Sequence, residues 1–550
     1  MNLAALFAAD STESMSLVAF TAVATITLLL CVMTGPDRDD LDEFYTGGPG
    51  LTPLRNGLAI AGDYISAASV LGGIGVIALT GYDGVVLLLA TALSLVLLMF
   101  LLAEPLRNAG RFTMGDTLTR RLSGPSARPA RIATAVATLA ALLPLMLVQL
   151  AGAGDLLAFV LGFGSFGSFG GEGVKTGSMV LVGVLMISYA AIGGMKGTAL
   201  IQIIKIVILL ASAAVVSVLV LLRFDGDFGA LAAQAARGSG LGDAFLRTGP
   251  LLAGSVAPQL DMVVSQLTVV LGAACLPHVT MRMYTARSAP EVRRSMSWAV
   301  SAATVFALFA LVIGFGAAAL VGRQAIVAAD PQGNTSILLT TRSLFGAETS
   351  GVETLIFTCV ATAVFLTLLA SVGGMILACA NSLAHDVFAH RRRLSPRAEM
   401  TTARLAALAV GVVTIALAST VQHRNLQPLV TLSFCLGASA LAPALVYSLF
   451  WRRFTRTGLL CTLLGGSAGA IILMTGTNLV SGSPGSAFPD HDFNWFPFTT
   501  PGIASIPLGF GLGWLGTVLS SRTSRREQRR AYEAVEAEIL AGVATRVIRE

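Results

Sequence analysis

Apolar runs of about twenty residues follow one another along nearly the whole of this chain, separated by short polar and arginine-bearing stretches. Coiled as an α-helix, a run of that length matches the hydrocarbon thickness of a bilayer. Thirteen spans are predicted, over 15–34, 54–82, 84–104, 132–163, 177–195, 197–222, 258–283, 297–322, 353–384, 404–421, 428–450, 458–476 and 501–521. The second span differs from a plain anchor. It places Asp63, Tyr64, Ser66 and Ser69 near its middle, with Gly72, Gly73 and Gly75 behind them. Unwound backbone at such depth is tolerated only where it lines a cavity, and interrupted spans are the best sequence pointer to a transport site. The pattern therefore implies movement of a small solute.

Composition agrees. Of 550 residues, 55% are hydrophobic and 12% charged, about half the charged share of soluble domains. The modest net charge of +6 is expected to come from loops on the inner side rather than from a nucleic-acid patch. With residues 1–14 outside, 28 of the Lys and Arg residues fall on the inner side, Arg282 among them. Seven fall on the outer side, and Lys205 is left within a span. An odd number of spans follows, with the N-terminus outside and the C-terminus in the cytoplasm. The 15–34 run lacks a preceding Lys or Arg and a cleavage site, and is expected to be retained. The six cysteines lie in or beside the spans and read as reduced, buried side chains without metal spacing. The outer loop 161–177 reads as a mobile glycine-rich loop. The outer stretch 481–500 reads as an interfacial aromatic belt or a lid. The tail, 522–550, fits a cytosolic amphipathic helix too short for a catalytic domain, and no soluble domain is expected.

Four segments carry a resemblance. The lead-in FYTGGPGLTPLRNGLAIAGDYISAAS with the following GYDG, then SYAAIGGMKGTALIQ at 188–202, LPHVTMRMYT at 276–285 and SLAHDVF at 382–388 resemble the sodium:solute symporter family. They look especially like its acetate/monocarboxylate permease branch. The resemblance implies an all-α, LeuT-type bundle of two inverted five-helix repeats, the first helix of each broken. Here those repeats fall at 54–222 and 258–450, preceded by the helix in 1–34 and followed by two helices over 458–521 and the 522–550 tail. Gly272 and Pro277 supply a second interrupted span at the expected place.

The resemblance also implies a sodium site between the first and eighth core helices. It carries onto the carbonyls of Ala67 and Val70 and onto Thr367, Ala370 and Ser371. Ala370 stands where many members have a second hydroxyl. Read without the family, Thr367 and Ser371 share one helical face, and hydroxyls bonding back to their own helix are the alternative. Ser66, Ala68, Ser69 and Gly72 are assigned to the solute-facing stretch.

Three further residues bear on coupling. Asp63 is an intramembrane carboxylate and by default a functional candidate, as a proton carrier, a hydrogen-bond partner across the break or a partner of Lys205. Lys205 either snorkels to the interface, compensates the charge of a carboxylate solute, or replaces or competes with sodium. Gln202 occupies a place where several relatives carry an acid. Asp155, Asp261, Glu353 and Asp386 are expected to cap helices or face the interface, and His278 to be a structural histidine at a kink.

The expected activity is import of a small monocarboxylate (acetate, propionate or pyruvate) coupled to sodium, with proton coupling open. A proline, pantothenate or urea carrier is the runner-up, and a transporter-like sensor stands behind it. Scattered histidines argue against an enzyme. No obligate protein partner and no cofactor beyond the coupling ion are inferred.

Overall fold

The computed structural model describes residues 3–36, 40–48, 51–122, 127–160, 172–247, 249, 256–345, 351–389, 394–483 and 485–542. Among them, the only β-pairing is an isolated bridge between Ser481 and Phe488. Helices dominate, as they must where each backbone polar group has to find its partner within its own segment.

In chain order the long helices are α1 (Leu3–Thr34), α2 (Pro53–Tyr64), α3 (Ala68–Thr80), α4 (Tyr82–Ala109), α5 (Ala127–Val160) and α6 (Glu172–Leu222). Then come α7 (Val256–Ala274), α8 (Pro277–Thr285), α9 (Ala289–Leu320), α10 (Gly351–Ala389) and α11 (Pro396–Val421). Last are α12 (Gln427–Phe450), α13 (Arg456–Thr475), α14 (Gly502–Val518) and α15 (Arg522–Ala541). The helix α1 begins well before residue 15, where the hydropathy pattern would start it. The α6 run is interrupted at Gly194, whose φ of 54° suits glycine. Straight, it would be more than twice as long as a bilayer core is thick, so it counts as two crossings. With α2–α3 and α7–α8 each taken as one bent span, the thirteen predicted segments are all present.

The two breaks have local causes. Thr52 caps α2 and Pro53 opens it; at the far end Ile65 leaves the helical region with ψ near 87°. The Ser66 carbonyl then accepts from the N–H groups of Ser69 and Val70, starting α3 at 66° to α2. In the second break, Leu276 is extended and Pro277 restarts the chain as α8, bent by 42°. Gly272 lies so close to the α12 backbone that a Cβ there would meet the Phe434 carbonyl oxygen at 2.2 Å.

A buried charge cluster joins the ends of α5, α10 and α11 to the short helix Met114–Leu118. Arg131 donates to Asp116 and to Asp386, at 2.8 Å each. Asp386 also accepts from Thr113 and Ser382, at 2.9 Å each. The His385 ring faces Glu399 through Nδ1 (2.7 Å) and Asp116 through Nε2 (3.2 Å), and both nitrogens can donate only as an imidazolium. Asp386 is thus an ion-paired core residue, not the cap or interface group its position near a helix end implied. Burial opposes the charge of Asp116, but the hydrogen bond and charge of His385 and the charge of Arg131 outweigh it, holding Asp116 well below the usual carboxylate range.

Elsewhere, Asp261 of α7 accepts from the backbone N–H groups of Thr499 (2.9 Å) and Thr500 (3.0 Å) and from the Thr499 hydroxyl. It therefore pins the 481–500 stretch, on which Phe488, Phe493 and Trp495 are exposed as an aromatic belt requires. All six cysteines are free, but Cys359 is exposed and Cys461 half-buried, while the other four are buried as expected. Residues 161–171 of the glycine-rich loop and 543–550 of the tail lie outside the described residues, as does the side chain of Asp155.

Two outcomes follow. Asp116→Asn leaves a buried cation short of its partner and should destabilise the protein by about 3–5 kcal/mol at neutral pH. The stabilising charge is present above the ordinary carboxylate range and lost as pH falls through and below it. Melting curves of the solubilised protein should therefore converge with wild type on acidification; a deficit independent of pH would contradict this. Gly62→Ala would place a Cβ 2.6 Å from the Gln202 carbonyl oxygen, prising α2 from α6 at a cost of about 1–3 kcal/mol. Gly73→Ala meets its nearest atom at 3.4 Å and should be almost silent in the same assay.

Candidate functional site

Where α2 stops, side chains of α6 and α8 meet the freed Gly62 carbonyl and the Asp63 carboxylate, and α10 joins them through Ser371. Lys205 of α6 is fully buried, and its ammonium donates to the Gly62 carbonyl and, at 3.1 Å, to Ser371 Oγ of α10. It does not snorkel: its whole stem and head lie inside the bundle. One turn earlier on α6, Gln202 Nε2 donates to Asp63 Oδ1 at 2.5 Å and to the Ala370 carbonyl at 2.9 Å. The other carboxylate oxygen of Asp63 is taken by Arg282 Nε of α8, in an ion pair whose side chains are each 1% exposed.

Arg282 therefore does not belong to an inner loop. A second Arg282 nitrogen donates to the Met195 carbonyl at 3.4 Å, beside the Gly194 kink. Next to this pair, Thr285 donates to Asn56 at 2.7 Å, a second link between α8 and α2. Asp63 is not hydrogen-bonded to Lys205; the arginine has taken its place. The signal that could have revealed this lies in Asp63 itself, since a carboxylate buried at membrane depth demands a cationic partner. Arg282 stands just five residues beyond Pro277, inside the interrupted sixth core helix.

The residues assigned to a sodium ion lie in the interior on two packed elements. Ala67, Val70, Thr367, Ala370 and Ser371 are all buried, and the 68–72 stretch packs against α10. Thr367 Oγ1 donates to Ala363 O and Ser371 Oγ to Thr367 O, each at 2.8 Å, so both hydroxyls do bond back to their own helix. That back-bond uses the proton and leaves oxygen lone pairs free, which is what a cation needs. Ser371 illustrates it by accepting the Lys205 ammonium. The Ala370 methyl offers no oxygen, but its carbonyl is used by Gln202. From the third core helix, α5, Gln149 accepts the Ala67 N–H at 3.3 Å.

Of the stretch assigned to the solute, Ala68, Ser69 and Gly72 form one partly open face of α3, whereas Val70 and Leu71 are buried. Ser66 is buried at the break itself. Tyr64 turns its hydroxyl to the Thr91 carbonyl and Ser94 of α4, tying the break to the second core helix. His278 is buried behind Pro277, and its Nδ1 lacks a hydrogen-bond partner among the described residues. Groups of three or more His, Cys, Asp or Glu able to hold a metal are absent among the described residues.

Known proteins place this geometry in context. A model of the sodium:solute symporter family matches residues 44–466. A monocarboxylic acid transporter of Corynebacterium glutamicum is 36% identical over 514 residues, which cover 91% of this chain and 90% of that protein. An uncharacterized symporter of Bacillus subtilis is 37% identical over 505 residues, covering 91% and 94%. Among solved structures, a Na+-coupled sialic acid symporter in a substrate-bound, outward-open state matches with a TM-score of 0.65 at 14% identity. The match covers 92% of this chain and 98% of that one, and it bears on the fold alone. The fold is the LeuT type, with both of its broken helices in place. The chain belongs to the sodium:solute symporter family, and is a multi-pass membrane transporter rather than an enzyme.

Proposed function

We propose that the protein imports a short-chain monocarboxylate (acetate, propionate or pyruvate) together with sodium, by alternating access. The observation that carries this reading is the placement of a monovalent cation, the Lys205 ammonium, among neutral oxygens at the break. Oxygens that satisfy an ammonium also suit a small alkali cation. The carbonyls of Ala67 and Val70 with Thr367 and Ser371 are the ligands we assign to it, and the Ala370 carbonyl joins them if Gln202 shares it.

The solute would lie against Ser66, Ala68, Ser69 and Gly72. A carboxylate there is favoured by the positive start of α3. It is favoured again by the neighbouring cluster, where two basic side chains, Arg282 and Lys205, face the single carboxylate of Asp63. The name of the C. glutamicum relative supports the same solute class. In this reading the arginine-rich side and α15 face the cytoplasm, the N-terminus faces out, and the membrane is the plasma membrane.

The Lys205 contact also favours a second reading, coupling to protons in place of sodium, since the lysine already fills part of the cation's position. Uptake of labelled acetate into proteoliposomes at fixed pH separates the two. A sodium gradient should drive accumulation; accumulation driven equally well without sodium assigns the coupling to protons. Unlabelled proline, pantothenate and urea should fail to compete with acetate, and success by any of them reassigns the solute. Ser371→Ala should raise the sodium concentration for half-maximal uptake about tenfold, the cost of one hydrogen-bond-strength contact to a charge. Membrane abundance should change little. Equal loss of both would mark Ser371 as a folding residue.

A further inference from the structure

The last membrane helix, α14, is peripheral: Leu508, Trp514, Leu515, Val518 and Leu519 are exposed along it and form the apolar surface a lipid annulus covers. Directly after it the chain turns by 109° into α15, capped by Ser521, so α15 runs across the membrane edge instead of away from it. Its second half is anchored to the bundle. Tyr532 donates to the Leu449 carbonyl at 2.6 Å with Arg121 stacked on its ring, Glu538 pairs with Arg120, and Asn108 donates to the Ile539 carbonyl at 3.1 Å.

Those anchors fix which way the first half points. Arg522, Arg526, Arg529 and Arg530 recur at three- and four-residue spacing on one exposed stripe of the helix, while Arg525 is half-buried, in heptad register with Tyr532 and Ile539. The buried stripe, Tyr532 and Ile539, lies roughly a third of a turn from the middle of those four, so they form a flank and not the face packed on protein. Arg529 is paired with Glu533, 2.7 Å away. Arg522, Arg525, Arg526 and Arg530 make no ion pair among the described residues, and only Glu527 offsets them locally.

We propose that this stripe binds the headgroups of anionic lipids bordering α14. Three features converge on that occupant. The stripe begins within a few residues of the end of α14, the first half of the helix carries five arginines against the single acid Glu527, and the helix lies at 109° to that span. Each arginine at that depth gains from an anionic surface, and the gain decays within a Debye length. With its apolar face packed on the bundle, the helix would meet headgroups through the charge of its free flank alone.

The test uses the full-length protein in nanodiscs of phosphatidylcholine with a minority of phosphatidylglycerol. The ratio of the two lipids retained on extraction is read by mass spectrometry. Wild type should retain phosphatidylglycerol in excess, and the excess should fall as salt rises. The combined R522Q, R526Q and R530Q variant should lose it by about tenfold. The matching set R522K, R526K and R530K should keep it. Melting in pure phosphatidylcholine should be alike for all three; if the glutamine set melts early, the lysine set and the wild-type salt titration decide. Equal enrichment in wild type and the glutamine set overturns the proposal, as does enrichment insensitive to salt. Loss in the lysine set at unchanged stability overturns it too.

Discussion

A helix that stops in the middle of a bilayer leaves carbonyl groups with no following turn to bond them, and the surrounding hydrocarbon offers no substitute. In this protein the ends are met by side chains from three other helices. Lys205 takes the Gly62 carbonyl, Gln202 and Arg282 divide the Asp63 carboxylate, and Ser371 closes the circuit from α10. Each of these groups is too polar to be buried alone, and each is there because another is. Remove the break and none has a reason to lie in the core. Remove the side chains and the break cannot be held.

The two buried charge clusters work on different parts of the bundle. The Asp63 cluster bridges both broken helices to α6 and α10, at the level where solute and ion would meet. The Asp116–Arg131–Asp386–His385–Glu399 cluster ties the ends of α5, α10 and α11. Between them runs the 281–285 turn, whose Arg282 belongs to the first cluster and whose Tyr284 hydroxyl meets Thr117 at 2.7 Å, beside the second. The two clusters are thus joined through few, specific polar contacts, embedded in otherwise apolar packing.

The fold was readable because the bilayer reduces the choices to apolar length and local interruption. The breaks at Ile65–Ser66 and Leu276–Pro277 were visible as small polar residues, glycine and proline inside long hydrophobic runs. The candidate site was readable where it depends on helical spacing, as with Thr367 and Ser371. It was not readable where it depends on which charge meets which across the bundle. Arg282 was grouped with loop arginines because a run of apolar residues says nothing of where a bent helix ends. Lys205 lies where a straight helix would let it snorkel, and only the packing of α2 and α10 over it encloses the ammonium. Asp386 looked like a helix-end carboxylate because its partner, Arg131, is more than two hundred positions away in sequence.

The grip of Asp261 on Thr499 and Thr500 reaches beyond local stability. Its three bonds end on consecutive residues just ahead of α14, so the unbroken half of a bent membrane span and the entrance to a peripheral one share a single attachment. Held through both carboxylate oxygens, such an attachment resists turning as well as separation. A tilt of α7 would be handed on to the aromatic segment, and through it to the start of α14 at the rim of the bundle.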